Sequence, residues 1–556
     1  MPEKNLVIGV DTGGTYTDAV VVDPIQNRVL AWAKEPTTAH DPALAIGRAL
    51  AAVLDKAKAD PAQIVGLTVS TTLATNALVE DKGADVGLLV IGHDQRLDVP
   101  ATDLRFIPGG HKARGVEAEP LGMDHLLSAI AAMKDHVDVY AVCAMLAFDD
   151  PSHELVAVKA IELVDPKPVF CSHLASTRPG LRERAATAVL NARLLPVMRD
   201  FLASIDQSMT SLGLNCPVGI VRGDCRSMDL EQALRTSSST VASGPAATAL
   251  FGRHAAGQTT ALIVDVGGTT TDITLIRDGR PVIREEGMTI GSWGTHVRAV
   301  EMYTVGLGGD SLTMVDRDSL TLGPARVLPL SQAHLHLDGR ALEVMTDPGS
   351  WIGPSLFAQC LAPAPGVPPG DDPILNRLAT LGPATPDTLR RELGLAESRL
   401  DKAIARLQAG RKVVACGFTP TDALHVLGEL TLGDSGPAAR GAAGLAPLLN
   451  MDPAQFCRRV LDHARQTIAV NILTALGERE VGPALARFLR EDEPSSLLDI
   501  SIRLKPRIIG IGAAAPYLLP DVAKTLGTTA VFPDHYHVGN AVGAALMHHS
   551  ETPFNS

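Results

Sequence analysis

The chain opens on an apolar run, Leu6-Val7-Ile8-Gly9-Val10, that stops at a polar glycine turn and resumes as Ala19-Val20-Val21-Val22. Two β-prone runs around a Gly-Gly turn predict a hairpin. Helical periodicity follows over residues 41–58, then strand-like runs at 63–69, 85–91, 137–142 and 167–171, with a helix around 153–163. Alternation of this kind predicts an α/β sheet with helices on its faces. A long helix over about 180–204 is expected to cross to a second half. That half starts with a strand at 218–221, and Ser243-Gly244-Pro245 reads as a helix start with serine as cap and proline in the first turn. A second hairpin joins Ala261-Leu262-Ile263-Val264 to Ile273-Thr274-Leu275-Ile276. Residues 346–372, rich in Pro and Gly, read as a surface connection, and 386–393 with 396–407 as helix, turn, helix. A long helix at 453–476, a strand at 507–511 and a small-residue helix at 538–546 complete the pattern.

The two hairpin turns are nearly the same sentence. Asp11-Thr12-Gly13-Gly14-Thr15-Tyr16-Thr17-Asp18 returns as Asp265-Val266-Gly267-Gly268-Thr269-Thr270-Thr271-Asp272, matching at six of eight positions 254 residues later. Such a pair suggests two related halves facing one site. Adjacent glycines let backbone approach a ligand with no Cβ in the way, and successive N–H groups in such a turn form an anion-binding concavity. The hydroxyls of Thr15, Thr17, Thr269, Thr270 and Thr271 can donate to phosphate oxygens. Asp11 and Asp265 would meet phosphate through Mg²⁺, which takes one or two carboxylates plus phosphate oxygens. Gly13, Gly14, Gly267 and Gly268 are therefore expected to hold β- and γ-phosphates. Asp18 and Asp272 are candidates for the base or for orienting an acceptor, with capping of the hairpin an equal alternative. Gly306-Leu307-Gly308-Gly309-Asp310-Ser311 is a further turn, which either lies near the ligand or is a plain loop. Neither a Walker A loop nor a GxGxxG fingerprint is present in the sequence.

Composition narrows the class. A chain of 556 residues should form at least two domains, and 46% hydrophobic with 20% charged residues is ordinary for a soluble enzyme. A net charge of −13 argues against nucleic acid as the main partner. Seven scattered cysteines without CxxC favour free thiols in a reducing cytoplasm. A strand beginning at Leu6 leaves no room for a signal peptide, and no apolar run approaches membrane-spanning length. His111 in Pro108-Gly109-Gly110-His111 and His153 in Ser152-His153-Glu154 are the histidines that could face a substrate or metal, though no zinc spacing supports them. His535-Tyr536-His537 reads as a surface loop. The helix pair near 386–407 has balanced charge, which favours packing or partner contact over DNA reading.

Two DxGGTxTD hairpins, the glycine turn Gly510-Ile511-Gly512-Ala513 and the terminal small-residue helix resemble the superfamily of actin, heat-shock chaperone ATPases and sugar kinases. Finer resemblance is to the hydantoinase A/oxoprolinase family. It is carried by Thr71-Thr72-Leu73-Ala74-Thr75-Asn76-Ala77-Leu78, Lys82-Gly83-Ala84-Asp85-Val86-Gly87-Leu88, Asp150-Pro151-Ser152-His153-Glu154, Ala242-Ser243-Gly244-Pro245-Ala246-Ala247, the Thr304–Ser311 turn and Pro420-Thr421-Asp422-Ala423. The resemblance implies an α/β, two-domain actin-like ATPase with ribonuclease H-like repeats and an inserted helical segment. Its domains would be 1–195 and 196–556, the latter holding a helical insertion at 373–416 and the adenosine-binding and connector segments. It also implies ATP and Mg²⁺ as cofactors, with Gly510, Gly512 and Ala513 bordering the adenosine. The implied reaction is phosphorylation of a carbonyl oxygen in a cyclic amide such as a hydantoin, 5-oxoproline or another lactam, completed with a B-type partner subunit in an oligomer. A small-molecule kinase, a ketone carboxylase subunit and a regulatory chaperone-like ATPase are the alternatives. Asp310 and Ala513-Ala514 depart from the glycines usual in the family.

Overall fold

The computed structural model describes residues 5–14, 16–37, 42–79, 83–316, 319–337, 339–348, 359–410, 412–431, 433–480 and 503–548. The chain divides into two compact units, one of 1–257, 279–301 and 538–556, the other of 258–278 and 302–537.

The first unit is built on a six-stranded sheet. Leu6–Thr12 pairs antiparallel with Tyr16–Asp23, which pairs antiparallel with Arg28–Pro36. On the other side Ile64–Thr71 runs parallel to Leu6–Thr12, and Val218–Val221 parallel to Ile64–Thr71. Leu6–Thr12 is buried along its whole length, as a central strand covered on both faces should be. The second unit repeats this plan. Ala261–Val266 pairs antiparallel with Thr271–Arg277, which pairs antiparallel with Met302–Val305. Arg507–Ile511 and then Ala530–Val531 extend the sheet in parallel on the far side. Five strands of each sheet share the same order and the same senses, the two related halves that the doubled motif suggested and the ribonuclease H-like repeats that the resemblance implied.

The first unit also holds a four-stranded parallel sheet, in the order Asp103–Ile107, Val86–Ile91, Val139–Ala144, Val169–Cys171. Helices Met123–Met133 and Ser152–Val164 bury Leu126, Ile130, Met133, Ala157 and Ile161 against it. In the second unit the helices Pro373–Leu381, Pro386–Leu393 and Glu397–Ala409 occupy the segment read as an insertion. Ile374, Leu378, Leu389, Leu400, Ile404 and Leu407 pack into a core with Leu361, Val413 and Ala415. That core gives the insertion a packing role.

Four expectations need correction. The boundary at 195/196 falls inside the helix Leu181–Ser211, whose later half buries Met198, Phe201, Leu202 and Ile205 in the core of the first sheet. The small-residue helix Gly539–Met547 belongs with the first unit. There a Cβ on Gly9 would meet the Ala541 carbonyl at 2.0 Å, and one on Gly543 would meet the Ala247 carbonyl at 1.9 Å. Ser243 does not cap its helix: Ala242 occupies that position at φ 62°, and the Ser243 hydroxyl donates instead to the Thr71 carbonyl at 2.6 Å. Within 346–372, residues 349–358 lie outside the described residues, and Gln359–Pro363 is a strand, buried except at Pro363, paired with Val413–Gly417. Gly9→Val, which forces a side chain between strand and helix, is expected to cost about 1–3 kcal/mol of stability, read from the urea midpoint of unfolding.

Candidate nucleotide phosphate loops

The two hairpins match bond for bond. In the first, Asp11 pairs in register with Asp18 and the Gly13 amide donates to the Tyr16 carbonyl at 3.0 Å. In the second, Asp265 pairs with Asp272 and the Gly267 amide donates to the Thr270 carbonyl at 2.9 Å. Gly14 and Thr269 are exposed at the tips, where a ligand could reach them. Thr15 lies outside the described residues.

Asp11 is buried at the base of the first turn. The Ser70 hydroxyl donates to its Oδ1 at 2.6 Å, and the Asn540 amide to its Oδ2 at 3.3 Å. Burial outweighs these donors and pushes its carboxyl up to about 6. Asp18 is nearly as buried and is gripped by Lys34, whose Nζ lies 2.7 Å from one carboxylate oxygen and 2.8 Å from the other. Burial raises its carboxyl, and the Lys34 charge pulls it back. Asp272 is also raised by burial, but its partners are hydroxyls, Thr304 at 2.7 Å and Thr270 at 3.4 Å. Asp265 is half-buried, and a Cβ on Gly512 would come within 2.9 Å of its Oδ1. Gly512 sits at φ +91°, so glycine is required there both by conformation and by the crowding of Asp265 and Val266.

Several named residues make their contacts within the fold. Thr17 is fully buried and shares a hydrogen bond with Thr37 at 3.1 Å, while Thr271 donates to the Leu307 carbonyl at 2.7 Å. Both follow from strand alternation, which places them on the face opposite the aspartates. Gly308 and Gly309 pack behind the second turn. A Cβ on Gly308 would strike the Gly268 carbonyl at 2.4 Å, and the Gly309 carbonyl accepts from Thr421 at 2.8 Å. Gly510 is buried, and a Cβ there would strike the Phe532 ring at 2.4 Å. Ala513 is exposed beside Gly512. Asp310 lies against Gly268, where its carboxylate pairs with Arg326 at 3.2 Å.

His111 and His153 are brought together, with ring centroids 4.3 Å apart. The Gly110 amide donates to His153 Nδ1 at 3.0 Å, so the ring proton sits on Nε2 and faces Glu117 at 3.0 Å. Glu154, Cys171 and His173 lie close enough to share a metal among the described residues. The Glu154 carboxylate already accepts from the Ala144 and His173 amides and from Ser172, and His173 Nδ1 lies 2.6 Å from it. Buried Arg184 donates to Ser172 at 2.9 Å, and the whole is a closed hydrogen-bond network that ties the ends of the parallel strands together. His535-Tyr536-His537 enters a short turn of 3₁₀ helix, Tyr536–Val538.

Sequence reading missed Lys34, Thr304, Arg326 and Asn540. Lys34 and Thr304 could be found only by knowing which strand pairs with the second arm of each hairpin. Asn540 lies 529 residues from the Asp11 it touches. Ser70, just ahead of Thr71-Thr72, reaches Asp11 because the parallel register sets the two opposite each other.

Paired ribonuclease H-type sheets, each with a glycine hairpin at the end of its central strand, define an α/β protein with the two-domain actin-like ATPase fold. The family follows from the sequence matches. A model described as the hydantoinase/oxoprolinase N-terminal region matches residues 7–164, and one described as hydantoinase/oxoprolinase matches 184–348. The chain belongs to the hydantoinase/oxoprolinase family. It is 30% identical over 358 residues to the caprolactamase subunit alpha of Pseudomonas jessenii, covering 58% of this chain and 51% of that protein. It is 26% identical over 362 residues to the acetophenone carboxylase gamma subunit of Aromatoleum aromaticum, covering 57% and 49%. The chain therefore spans about half the length of these relatives. Among solved structures it is similar to a nucleotide-free acetone carboxylase, with TM-score 0.66, 17% identity and coverage of 97% of this chain and 70% of that one. It is also similar to the ATP-dependent caprolactamase from Pseudomonas jessenii, with TM-score 0.64, 21% identity and coverage of 97% and 70%.

The raised carboxyl of Asp11 sets a pH dependence. A carboxyl whose folded value, about 6, exceeds its unfolded value, 3.8, stabilises the fold below the unfolded value and loses that contribution as pH rises through the folded one. Without nucleotide or Mg²⁺, Asp11→Asn should be more stable than wild type above pH 6, by about 3 kcal/mol at most. Melting curves between pH 4 and 8 should show that advantage vanish towards the acid end.

Proposed function

We propose that the chain is the ATP-binding subunit of an ATP-dependent cyclic-amide hydrolase, which phosphorylates a lactam-type carbonyl oxygen so that a B-type partner subunit can complete ring opening. The observation that carries this reading is the doubled hairpin, with the same register, the same turn hydrogen bond and the same flanking aspartates in two sheets of one topology. The caprolactamase subunit alpha among the relatives supports the lactam class. Both relatives named above are subunits, which supports a partner. The acetophenone carboxylase gamma subunit supports a second reading, activation of a ketone for carboxylation by the same O-phosphorylation.

On this reading Gly14, Thr15, Gly268, Thr269 and Thr270 offer amides and hydroxyls to the phosphates, Gly13 and Gly267 close the turns with their own amides and keep side chains out of the way, and Gly512 and Ala513 border the adenosine. Asp11 fits a magnesium ligand: its carboxylate is buried, raised by that burial, and hydrogen-bonded only by neutral donors. Asp265, at the equivalent position of the second hairpin, is the other residue that would hold the ion. Bound there, Mg²⁺ would neutralise charge on the phosphate oxygens as the phosphoryl group moves. Asp272, held by two hydroxyls, orients the acceptor. The cytoplasm suits the seven cysteines, all of them free. No helix among the described residues is long and apolar enough to cross a membrane.

An ATPase screen of the purified chain, alone and with any protein that copurifies, against lactams, hydantoins, 5-oxoproline and ketones tests the proposal. A lactam or hydantoin should stimulate phosphate release, and Asp11→Ala should cut that release by about 100-fold or more while the melting curve persists. A phosphate ester that accumulates would mark a small-molecule kinase instead, and turnover unchanged in Asp11→Ala would sink the magnesium assignment.

A further inference from the structure

A triphosphate carries several negative charges, and phosphoryl transfer rests largely on neutralising them. Neither glycine turn contains a lysine or arginine between its two aspartates. The hairpins share a backbone plan, so a cation supplied from a neighbouring strand should show itself as a difference between them. The third strand of each sheet provides that comparison. In the first unit, Asp18 stands in register opposite Lys34 on Arg28–Pro36. In the second, Asp272 stands opposite Thr304 on Met302–Val305. The same cross-strand position therefore holds an ammonium beside one hairpin and a hydroxyl beside the other.

We propose that Lys34 is the side-chain cation that binds the terminal phosphate of the nucleotide at the first hairpin; this rests on reading the hairpins as phosphate loops. Its ammonium has three donor hydrogens, and the two Asp18 oxygens, at 2.7 and 2.8 Å, account for at most two of them. The Lys34 side chain is 31% exposed while that of Asp18 is 12% exposed, so the lysine is the more accessible member of the pair. Its ammonium sits 5.1 Å from the centre of the Tyr16 ring, on the arm of the same hairpin. The strand is pinned to the turn just beyond: Thr37, the residue following it, donates from its hydroxyl to the Gly13 carbonyl at 3.0 Å. Asp18 thereby becomes a positioning residue that aims the lysine. Lys34 in turn keeps the Asp18 carboxylate from repelling phosphate.

The second unit has no counterpart at this position. Its nearby basic group, Arg326, is engaged through Nε and Nη2 by Asp310, at 3.4 and 3.2 Å. Charge is thus divided unequally between the repeats. At this position the first hairpin carries the Asp18–Lys34 ion pair, and the second presents Asp272 with hydroxyl partners.

Calorimetric titration of the purified full chain with MgADP and with a non-hydrolysable MgATP analogue tests this. Lys34→Met should weaken the ATP analogue by about tenfold or more and MgADP by less than about threefold, since only the former carries the terminal phosphate. Lys34→Arg should restore most of the loss. Lys34→Met combined with Asp18→Asn should bind the analogue better than Lys34→Met alone, because the bare carboxylate is gone. Analogue binding unchanged in Lys34→Met overturns the assignment, as does an equal loss for both nucleotides with a lowered melting temperature, which is the mark of a structural ion pair. A wild-type chain that binds neither nucleotide overturns the reading of the hairpins as phosphate loops, and with it the role of Lys34.

Discussion

A carboxylate taken out of water at the base of a tight turn must be met by donors, or the turn will not hold. Asp11 meets this condition with two groups from distant parts of the chain: Ser70 on the neighbouring parallel strand and Asn540 on the last helix. The helix can deliver Asn540 because Gly9 below it and Gly543 within it leave no side chain between helix, central strand and the helix Ser243–Ala256. Small residues in the terminal helix, glycine in the central strand and the buried aspartate are one device. Its product is a buried carboxylate, raised by that burial and fixed at the base of the first turn.

The second hairpin repeats the backbone and changes the surroundings. Its glycine turn is backed by the 308–310 turn, whose Gly309 and Asp310 amides donate to the Gly267 and Gly268 carbonyls at 3.0 and 2.8 Å. Thr421, at the start of the helix Pro420–Val426, locks Gly309 in turn. The departure from the usual family glycine at position 310 has a physical place here: the Asp310 carboxylate fills the space beside Gly268 and is neutralised by Arg326. Repetition of the fold preserves the backbone geometry of the turn, while the flanking strands give each copy its own charge.

Much of this was legible in the sequence because local pattern and chemistry coincide in it. The hairpins announce themselves by apolar runs, glycine pairs and flanking aspartates, and strands such as Val218–Val221 and Arg507–Ile511 lie where the apolar runs put them. The direction of side chains within a hairpin was not legible, so Thr17 and Thr271 read as phosphate ligands although alternation turns them inward. Cross-strand partners were also hidden. Lys34 looks like any charged residue on a strand until its register with Asp18 is known. The unit boundary escaped for a similar reason. Helix Leu181–Ser211 is continuous in sequence and in space, and only its packing against the first sheet shows which core it serves.

The central claim is that both hairpins are phosphate loops for a nucleotide. Hydrogen–deuterium exchange, with and without ATP and Mg²⁺, reads the amides of both turns in a single sample. The account predicts that nucleotide slows exchange at residues 11–18 and at 265–272 together, because each turn would give its amides to phosphate oxygens. Slowing at one hairpin alone, or at neither under conditions where ATP is bound, would contradict it.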